Sequence, residues 1–297
     1  MSVVRQVCAR STLRLALWGA VAALCLPLAA CGPAHRASAP PLRWMIEASA
    51  VQKLLNVPGA APAVRAALDT PNTVVMGSPP SAIRSWSVRW ARSATSLSGV
   101  TADLRAASAD RLSAVVYDQE HWSFTPTAEQ TDPASYVRQA EAIAKRQHVQ
   151  LIATPATDLV WAVGRPAPGT AYSTFLRLGI AGSIAPYADV LEIQAQGAEA
   201  DVAQYGSFVR AVAAQARAAN PTVVLYAGLS TNPTGHHVTA TELEADVAAT
   251  RAVVSGYWLN VPGASAYCPT CGTAQPQVGA ALLESLYPSA APASMAE

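Results

Sequence analysis

The chain has 297 residues, with 20 Lys and Arg against 19 Asp and Glu, so its formal net charge at pH 7 is +1. This balance gives no excess of basic side chains, and we therefore expect no nucleic-acid partner. The length suits one large α/β domain or two small ones. The sequence contains neither GxGxxG nor GxxxxGK[ST], so we expect no nucleotide and no other cofactor.

The first thirty residues have the pattern of an export signal. Their charged residues are three arginines, followed by a short apolar run from 15 to 30. The run ends in LAACG, which resembles the lipobox of bacterial lipoproteins and has Cys31 as its cysteine. The resemblance implies cleavage before Cys31, a diacylglyceryl group with acyl chains such as palmitate, and anchoring at the extracytoplasmic face of the cell membrane. Ordinary secretion after cleavage at Ala30, without lipid, is the alternative.

Four segments follow from this interpretation. Residues 1–30 are the signal peptide, and residues 31–40 are the lipidated cysteine with a tether of small residues and proline. Residues 41–290 are the folded domain, and residues 291–297 are a C-terminal tail.

Short apolar runs alternate with helical stretches throughout the folded domain. The expected strands are residues 43–48, 73–77, 113–118, 149–154, 189–194, 222–228 and 254–259. The expected helices include residues 133–147, 200–219, 241–251 and 277–286. This rhythm predicts a parallel sheet covered by helices. A closed (β/α)8 TIM-barrel needs one more strand, expected within 85–91 or among 160–188.

Polar and aromatic residues follow the ends of several predicted strands, as in residues 118–122, 154–158 and 258–260. A barrel has its active site at this face of the sheet, whereas an open sheet concentrates its chemistry at one switch point. The distribution favours a single TIM-barrel-like α/β domain, with residues 118–122 and 258–260 at the same end.

The strongest candidate for chemistry is Asp118 with Glu120, at the end of a buried strand. Residues two apart on a strand point to the same side, so both carboxyls are expected at the barrel mouth. Two close carboxyls in a poorly solvated place do not both ionise easily, so one pKa should rise. Glycoside hydrolysis requires such a protonated acid. Trp122 supplies an apolar face for a sugar ring.

The pair Asp118-x-Glu120 resembles the end of the DxxDxDxE signature of family 18 chitinase-like glycoside hydrolases, and Gly256-Tyr257-Trp258 resembles the late-strand tryptophan of that family. The resemblance implies that Glu120 is the general acid, that Asp118 orients the substrate, and that Trp258 lies under the sugar. An earlier aspartate of the signature is Val116 here. Two functions therefore stay open: a hydrolase acting on a polysaccharide or glycan, and a glycan-binding lipoprotein without catalysis.

Other polar residues extend this candidate site. Glu192 and Gln194 are two residues apart on one predicted strand, so their side chains point to the same face. This face is either a wall that contacts a ligand or part of a buried hydrogen-bonded network. We include both as substrate-binding candidates. Glu192 or Asp158 could also supply a second catalytic carboxylate.

Cys268 and Cys271 form a CxxC pair near the C-terminus. Outside the cytoplasm such a pair is expected to oxidise to a small structural disulfide. Thiol–disulfide exchange is less favoured because the surrounding residues indicate a loop rather than a helix start. Zinc is disfavoured because no second CxxC pair completes a site, so we expect no metal.

Overall fold

A computed structural model describes residues 41–110, 112–233 and 236–288. The signal peptide at 1–30, the lipidation site Cys31, the tether at 31–40 and the tail at 291–297 all lie outside the described residues, as do residues 289–290 of the predicted domain. These assignments remain predictions from the sequence.

Eight parallel strands form a closed barrel in which each strand pairs with the next and the last pairs with the first. The strands are β1 (Arg43–Glu47), β2 (Thr73–Met76), β3 (Arg89–Ala94), β4 (Ala114–Tyr117), β5 (Gln150–Ala153), β6 (Val190–Ile193), β7 (Val224–Ser230) and β8 (Gly256–Asn260). Trp44 of β1 lies opposite Thr73 of β2 and Tyr257 of β8, which closes the ring. The predicted single-domain (β/α)8 fold is confirmed.

The eighth strand, which the sequence placed in one of two regions, is β3. It overlaps the first of the two expected regions, residues 85–91, and extends three residues beyond it. The second region, residues 160–188, contains helices instead.

Eleven α-helices are found within the described ranges. They are α1 (Ala48–Leu55), α2 (Ala61–Leu68), α3 (Leu97–Asp110), α4 (Thr127–Thr131), α5 (Pro133–Arg146), α6 (Val160–Val163), α7 (Ala171–Leu178), α8 (Ile180–Ile184), α9 (Val202–Ala219), α10 (Ala240–Thr250) and α11 (Pro276–Leu286). None of those described is long and apolar enough to cross a membrane.

Local chemistry fixes where several of these helices begin. Asp132 accepts a hydrogen bond from the Ser135 backbone N–H at 3.3 Å, and Pro133 occupies the first position of α5. Thr239 and Glu242 form a reciprocal capping box at the start of α10. These residues satisfy backbone donors that a helix leaves unpaired at its first turn.

Inward-facing side chains of the strands fill the barrel interior. They are Met45, Val74, Met76, Ala91, Ala114, Val116, Ile152, Val190, Tyr226 and Trp258. The alternate residues of the strands pack outward against the helices in a larger apolar layer. Since Ala114 and Val116 face the interior, Asp118 continues their side of β4 beyond the strand, towards the barrel mouth.

Candidate functional site

A cleft of about 1060 Å³ opens at the carboxyl ends of the strands. Its lining includes five of the six predicted catalytic and substrate-binding residues, namely Asp118, Glu120, Trp122, Gln194 and Trp258. Asn260 at the end of β8 lines it as well, so residues 118–122 and 258–260 lie at the same end of the barrel. The parallel topology brings these side chains together although they are distant in sequence.

Asp118 is held in the cleft by hydrogen bonds from residues that directly follow β5 and β6. Its Oδ1 atom accepts from Thr154 Oγ1 at 2.7 Å and from Gln194 Nε2 at 3.2 Å. Gln194 also donates to the Thr154 carbonyl at 3.1 Å, which fixes the amide. Burial raises the pKa of Asp118 to about 6 although these two hydrogen bonds lower it, and the charge of Asp158 adds to the rise.

Glu120 is the group with the more strongly raised pKa. Burial is the largest cause, followed by the negative charges of Asp118 and Asp158, and together they raise the pKa of Glu120 to about 9. The Glu120 backbone N–H donates to Thr125 Oγ1 at 3.3 Å, which ties the end of β4 to the following loop. The pKa of Glu120 is thus raised more strongly than that of Asp118, so Glu120 is the group of the pair that retains its proton to higher pH.

Two further carboxyls line the same cleft. Asp158, in the turn after β5, accepts a hydrogen bond from the His121 backbone N–H at 2.9 Å, and burial raises its pKa. Glu47 is the last residue of β1, and burial together with the charge of Asp118 raises its pKa to about 7. Asp158 is one of the candidates predicted from the sequence, whereas Glu47 is not. Glu47 could have been identified from its position at the end of a strand, which it shares with Asp118.

Glu192 lies beneath the cleft rather than in its lining. Its side chain is 1% exposed, and neither carboxyl oxygen has a hydrogen-bond partner among the described residues. A Cβ atom at Gly228 of β7 would lie 2.5 Å from Glu192 Oε1 and 2.3 Å from Gln196 Nε2, so this glycine leaves the space that both side chains occupy. Burial and the charges of Asp118 and Glu120 raise the pKa of Glu192 well above its usual value. Its burial, and its absence from the lining of the cleft, do not support a direct substrate contact.

Aromatic side chains border the cleft at two levels. Trp258 is 7% exposed, belongs to the barrel interior and lines the cleft from below. Trp122 and Tyr267 line it near the surface, and their ring centroids are 5.8 Å apart. Tyr267 was not singled out in the sequence.

The loop between β8 and α11 carries the predicted disulfide. Cys268 and Cys271 are bonded, with Cα atoms 5.4 Å apart, and both line the cleft. The prediction of a small structural disulfide in a loop is confirmed.

The acidic side chains of the cleft do not form a metal centre. No group of three or more His, Cys, Asp or Glu residues in the described part of the chain could hold a metal ion. The cleft instead places Glu120, a carboxyl with a strongly raised pKa, near Asp118, among polar and aromatic side chains.

Comparison with known proteins finds similarity of fold. No protein-family model matches the chain, and no curated protein is similar to it in sequence. A chitinase from Chromobacterium violaceum ATCC 12472 superposes with a TM-score of 0.45 at 12% identity, covering 73% of this chain and 93% of that chain. A GH18 chitinase from Pseudoalteromonas aurantia superposes with a TM-score of 0.44 at 11% sequence identity, covering 73% of this chain and 93% of that chain. The HMG-CoA lyase from Brucella melitensis superposes with a TM-score of 0.48 at 12% sequence identity, covering 83% of this chain and 90% of that chain.

Proposed function

We propose that this chain is a glycoside hydrolase-like barrel that cleaves a polysaccharide or glycan, with Glu120 as the general acid and Asp118 as its ionised partner. One observation carries the proposal. Asp118 and Glu120 line the same cleft at the carboxyl end of β4, where burial raises the pKa of both carboxyls and that of Glu120 more strongly. A pair of carboxyls with separated pKa values is what acid-assisted glycoside cleavage requires.

In this proposal Glu120 donates its proton to the glycosidic oxygen as the bond from that oxygen to the anomeric carbon breaks. Asp118 stays ionised and stabilises the positive charge that develops near the anomeric carbon. A water molecule then adds to that carbon and returns a proton to Glu120, which restores the acid. Thr154 and Gln194 support the role of Asp118 because their hydrogen bonds favour its charged form and fix its orientation.

The alternative is a glycan-binding protein without catalysis. The observation in its favour is the apolar inner face of β4, where Val116 stands in place of an aspartate of the resembled signature and packs inside the barrel. In that case Trp258, Trp122 and Gln194 would still contact a sugar, while Glu120 would have no catalytic task.

The deciding experiment compares wild type, Glu120→Gln and Glu284→Gln on fragments of chitin, peptidoglycan, α-glucan and β-glucan. Glu284 is exposed on α11, away from the cleft, and the same chemical change there is the matched control. Removing the proton of Glu120 is expected to lower kcat at least ~100-fold, the usual contribution of a positioned general acid. Binding should persist because the side chain keeps its shape.

Two results would count against this assignment. If Glu120→Gln cleaves a glycan as fast as Glu284→Gln does, Glu120 is not the acid. If wild type binds a glycan and cleaves none, the binding-protein alternative replaces the hydrolase.

We further propose that lipid on Cys31 holds the barrel at the extracytoplasmic face of the cell membrane, where polysaccharides are accessible to it. Support comes from the lipobox-like LAAC sequence and from the Cys268–Cys271 disulfide, a bond that persists in oxidising compartments.

A further inference from the structure

We propose that Tyr267 and Trp122 form a second, outer sugar-stacking subsite at the rim of the cleft, and that the Cys268–Cys271 disulfide holds Tyr267 in place there. The ligand class is a pyranose ring of an oligosaccharide that also reaches the pair Asp118 and Glu120. This inference rests on the proposed glycan function and adds an outer contact and a preference for longer chains.

The first observation is an aromatic cluster that two separate loops build at the surface. Trp122 and Phe124 follow β4, whereas Tyr267 belongs to the β8–α11 loop. The ring centroids of Phe124 and Tyr267 are 4.9 Å apart, and those of Trp122 and Phe124 are 5.2 Å apart. Tyr267 is nevertheless 62% exposed and Phe124 41% exposed. Apolar rings that stay in water beside a cleft indicate a surface for a ligand.

The second observation is that the Trp122 side of the cluster is already fixed. The indole N–H donates to Thr125 Oγ1 at 2.8 Å. Gln130 donates to the Trp122 carbonyl at 2.7 Å and to the Thr125 carbonyl at 2.6 Å. The ring is therefore held without a ligand, and it lines the cleft, where its apolar surface can stack on the C–H groups of a sugar. A fixed ring loses little conformational entropy on binding.

The third observation is that the Tyr267 side is fixed by covalent and hydrogen-bonded links. Tyr267 immediately precedes Cys268, which is bonded to the buried Cys271. Asn232 of the β7–α10 loop donates to the Cys271 carbonyl, and the Ala264 backbone N–H donates to the Gly272 carbonyl at 2.7 Å. The disulfide thus joins the residue beside Tyr267 to the part of the loop that contacts the barrel.

The position of the cluster connects it to the acid pair. Trp122 and Tyr267 line the same continuous cleft as Asp118 and Glu120. The volume of about 1060 Å³ is at the upper end of the range for small-molecule sites, so the cleft has room for more than one sugar ring. A short oligosaccharide can occupy the acid pair alone, whereas a longer one also reaches the rim.

The test uses the whole folded protein and chitin, β-glucan and α-glucan oligosaccharides of two and six rings. Tyr267→Ala is expected to raise KM for six-ring substrate about 2- to 12-fold, the contribution of one aromatic contact, with a smaller effect on two-ring substrate. The change should lie in KM rather than kcat. Tyr267→Phe retains the stacking face and should recover most of the lost affinity.

A matched control is Trp161→Ala, which removes an aromatic side chain that is 40% exposed on α6 and does not line the cleft. A paired variant, Cys268→Ser with Cys271→Ser, should raise KM for six-ring substrate as Tyr267→Ala does. Melting curves establish that each variant is folded, and tryptophan fluorescence measures binding without catalysis.

The outcomes separate this inference from the proposed function. An unchanged six-ring KM in Tyr267→Ala overturns the outer subsite while cleavage dependent on Glu120 still stands. If wild type binds without cleaving and Tyr267→Ala loses the binding, the subsite is supported and the hydrolase assignment fails. If the paired serine variant keeps the wild-type KM, the role given to the disulfide is wrong. Binding of none of the oligosaccharides by wild type overturns the subsite.

Discussion

The pH dependence of cleavage offers the sharpest check on the acid pair, and Asp158→Asn is the variant that perturbs it. The negative charge of Asp158 contributes to the raised pKa of both Asp118 and Glu120. Asparagine keeps an oxygen that can accept the hydrogen bond from the His121 backbone N–H, so the turn should be retained. Removing the charge should therefore lower both pKa values with little change in shape.

The magnitude follows from the two apparent pKa values, about 6 and about 9. The active form has Asp118 ionised and Glu120 protonated. This form is most populated between the two apparent pKa values and declines at lower and at higher pH. Wild-type activity should then form a bell with its maximum between about pH 6 and pH 9, and each limb should fall about tenfold per pH unit once the pH is well outside that range.

The assay is the pH profile of kcat/KM for wild type, Asp158→Asn and the control Asp132→Asn. Asp132 caps α5 at an exposed position, and asparagine caps helices equally well. In Asp158→Asn both limbs of the bell should move to lower pH, so that this variant retains a larger share of its maximum at pH 5. Limbs that stay fixed, or that move to higher pH, would refute the assignment of the limbs to this carboxyl pair.

Two further predictions concern stability and anchoring. The pKa of buried Glu192 is raised, so the folded state retains a proton that the unfolded chain releases, and the free energy of unfolding should fall as pH rises above about 4.5. Glu192→Gln should reduce this slope by at most about 1.4 kcal/mol per pH unit, the limit for one proton, as denaturant unfolding from pH 5 to 8 will show. An unchanged slope would mean that Glu192 is already ionised in the folded protein. Cys31→Ala should leave unprocessed or mislocalised protein because the cysteine that carries the lipid is gone. Mass spectrometry that finds wild type cleaved after Ala30 without lipid would contradict lipid anchoring at Cys31.

The sequence allowed the barrel to be predicted because seven strands are short apolar or β-branched runs between recognisable helices. The position of β3 was narrowed only to two regions, for a physical reason. Its sequence, RWARSA, has two arginines and no β-branched residue, so its strand propensity is weak. Pairing with β2 on one side and β4 on the other makes it a strand. Such tertiary pairing leaves no local pattern in the sequence.

The candidate site was partly predictable for a related reason. Asp118 and Glu120 were found because their spacing and strand-end position are local features. The hydrogen bond from Thr154 to Asp118 joins residues 36 apart in sequence, and it depends on the register between β4 and β5. The proximity of Glu47 to Asp118 depends on closure of the barrel, and the contact of Tyr267 with Trp122 depends on two loops that meet above it.

The absence of an aspartate at Val116 does not remove the physical basis for an acid at Glu120. Val116 packs in the barrel interior and keeps the surroundings of β4 poorly solvated. Burial is the largest cause of the raised pKa of Glu120, ahead of the charges of Asp118 and Asp158. Desolvation alone can keep a carboxyl protonated at neutral pH. Glu192 of β6 adds a buried acid close enough to be influenced by both residues of the pair. The proton on Glu120 can therefore be maintained by an apolar barrel interior and by carboxyls from neighbouring strands, without a second aspartate on β4.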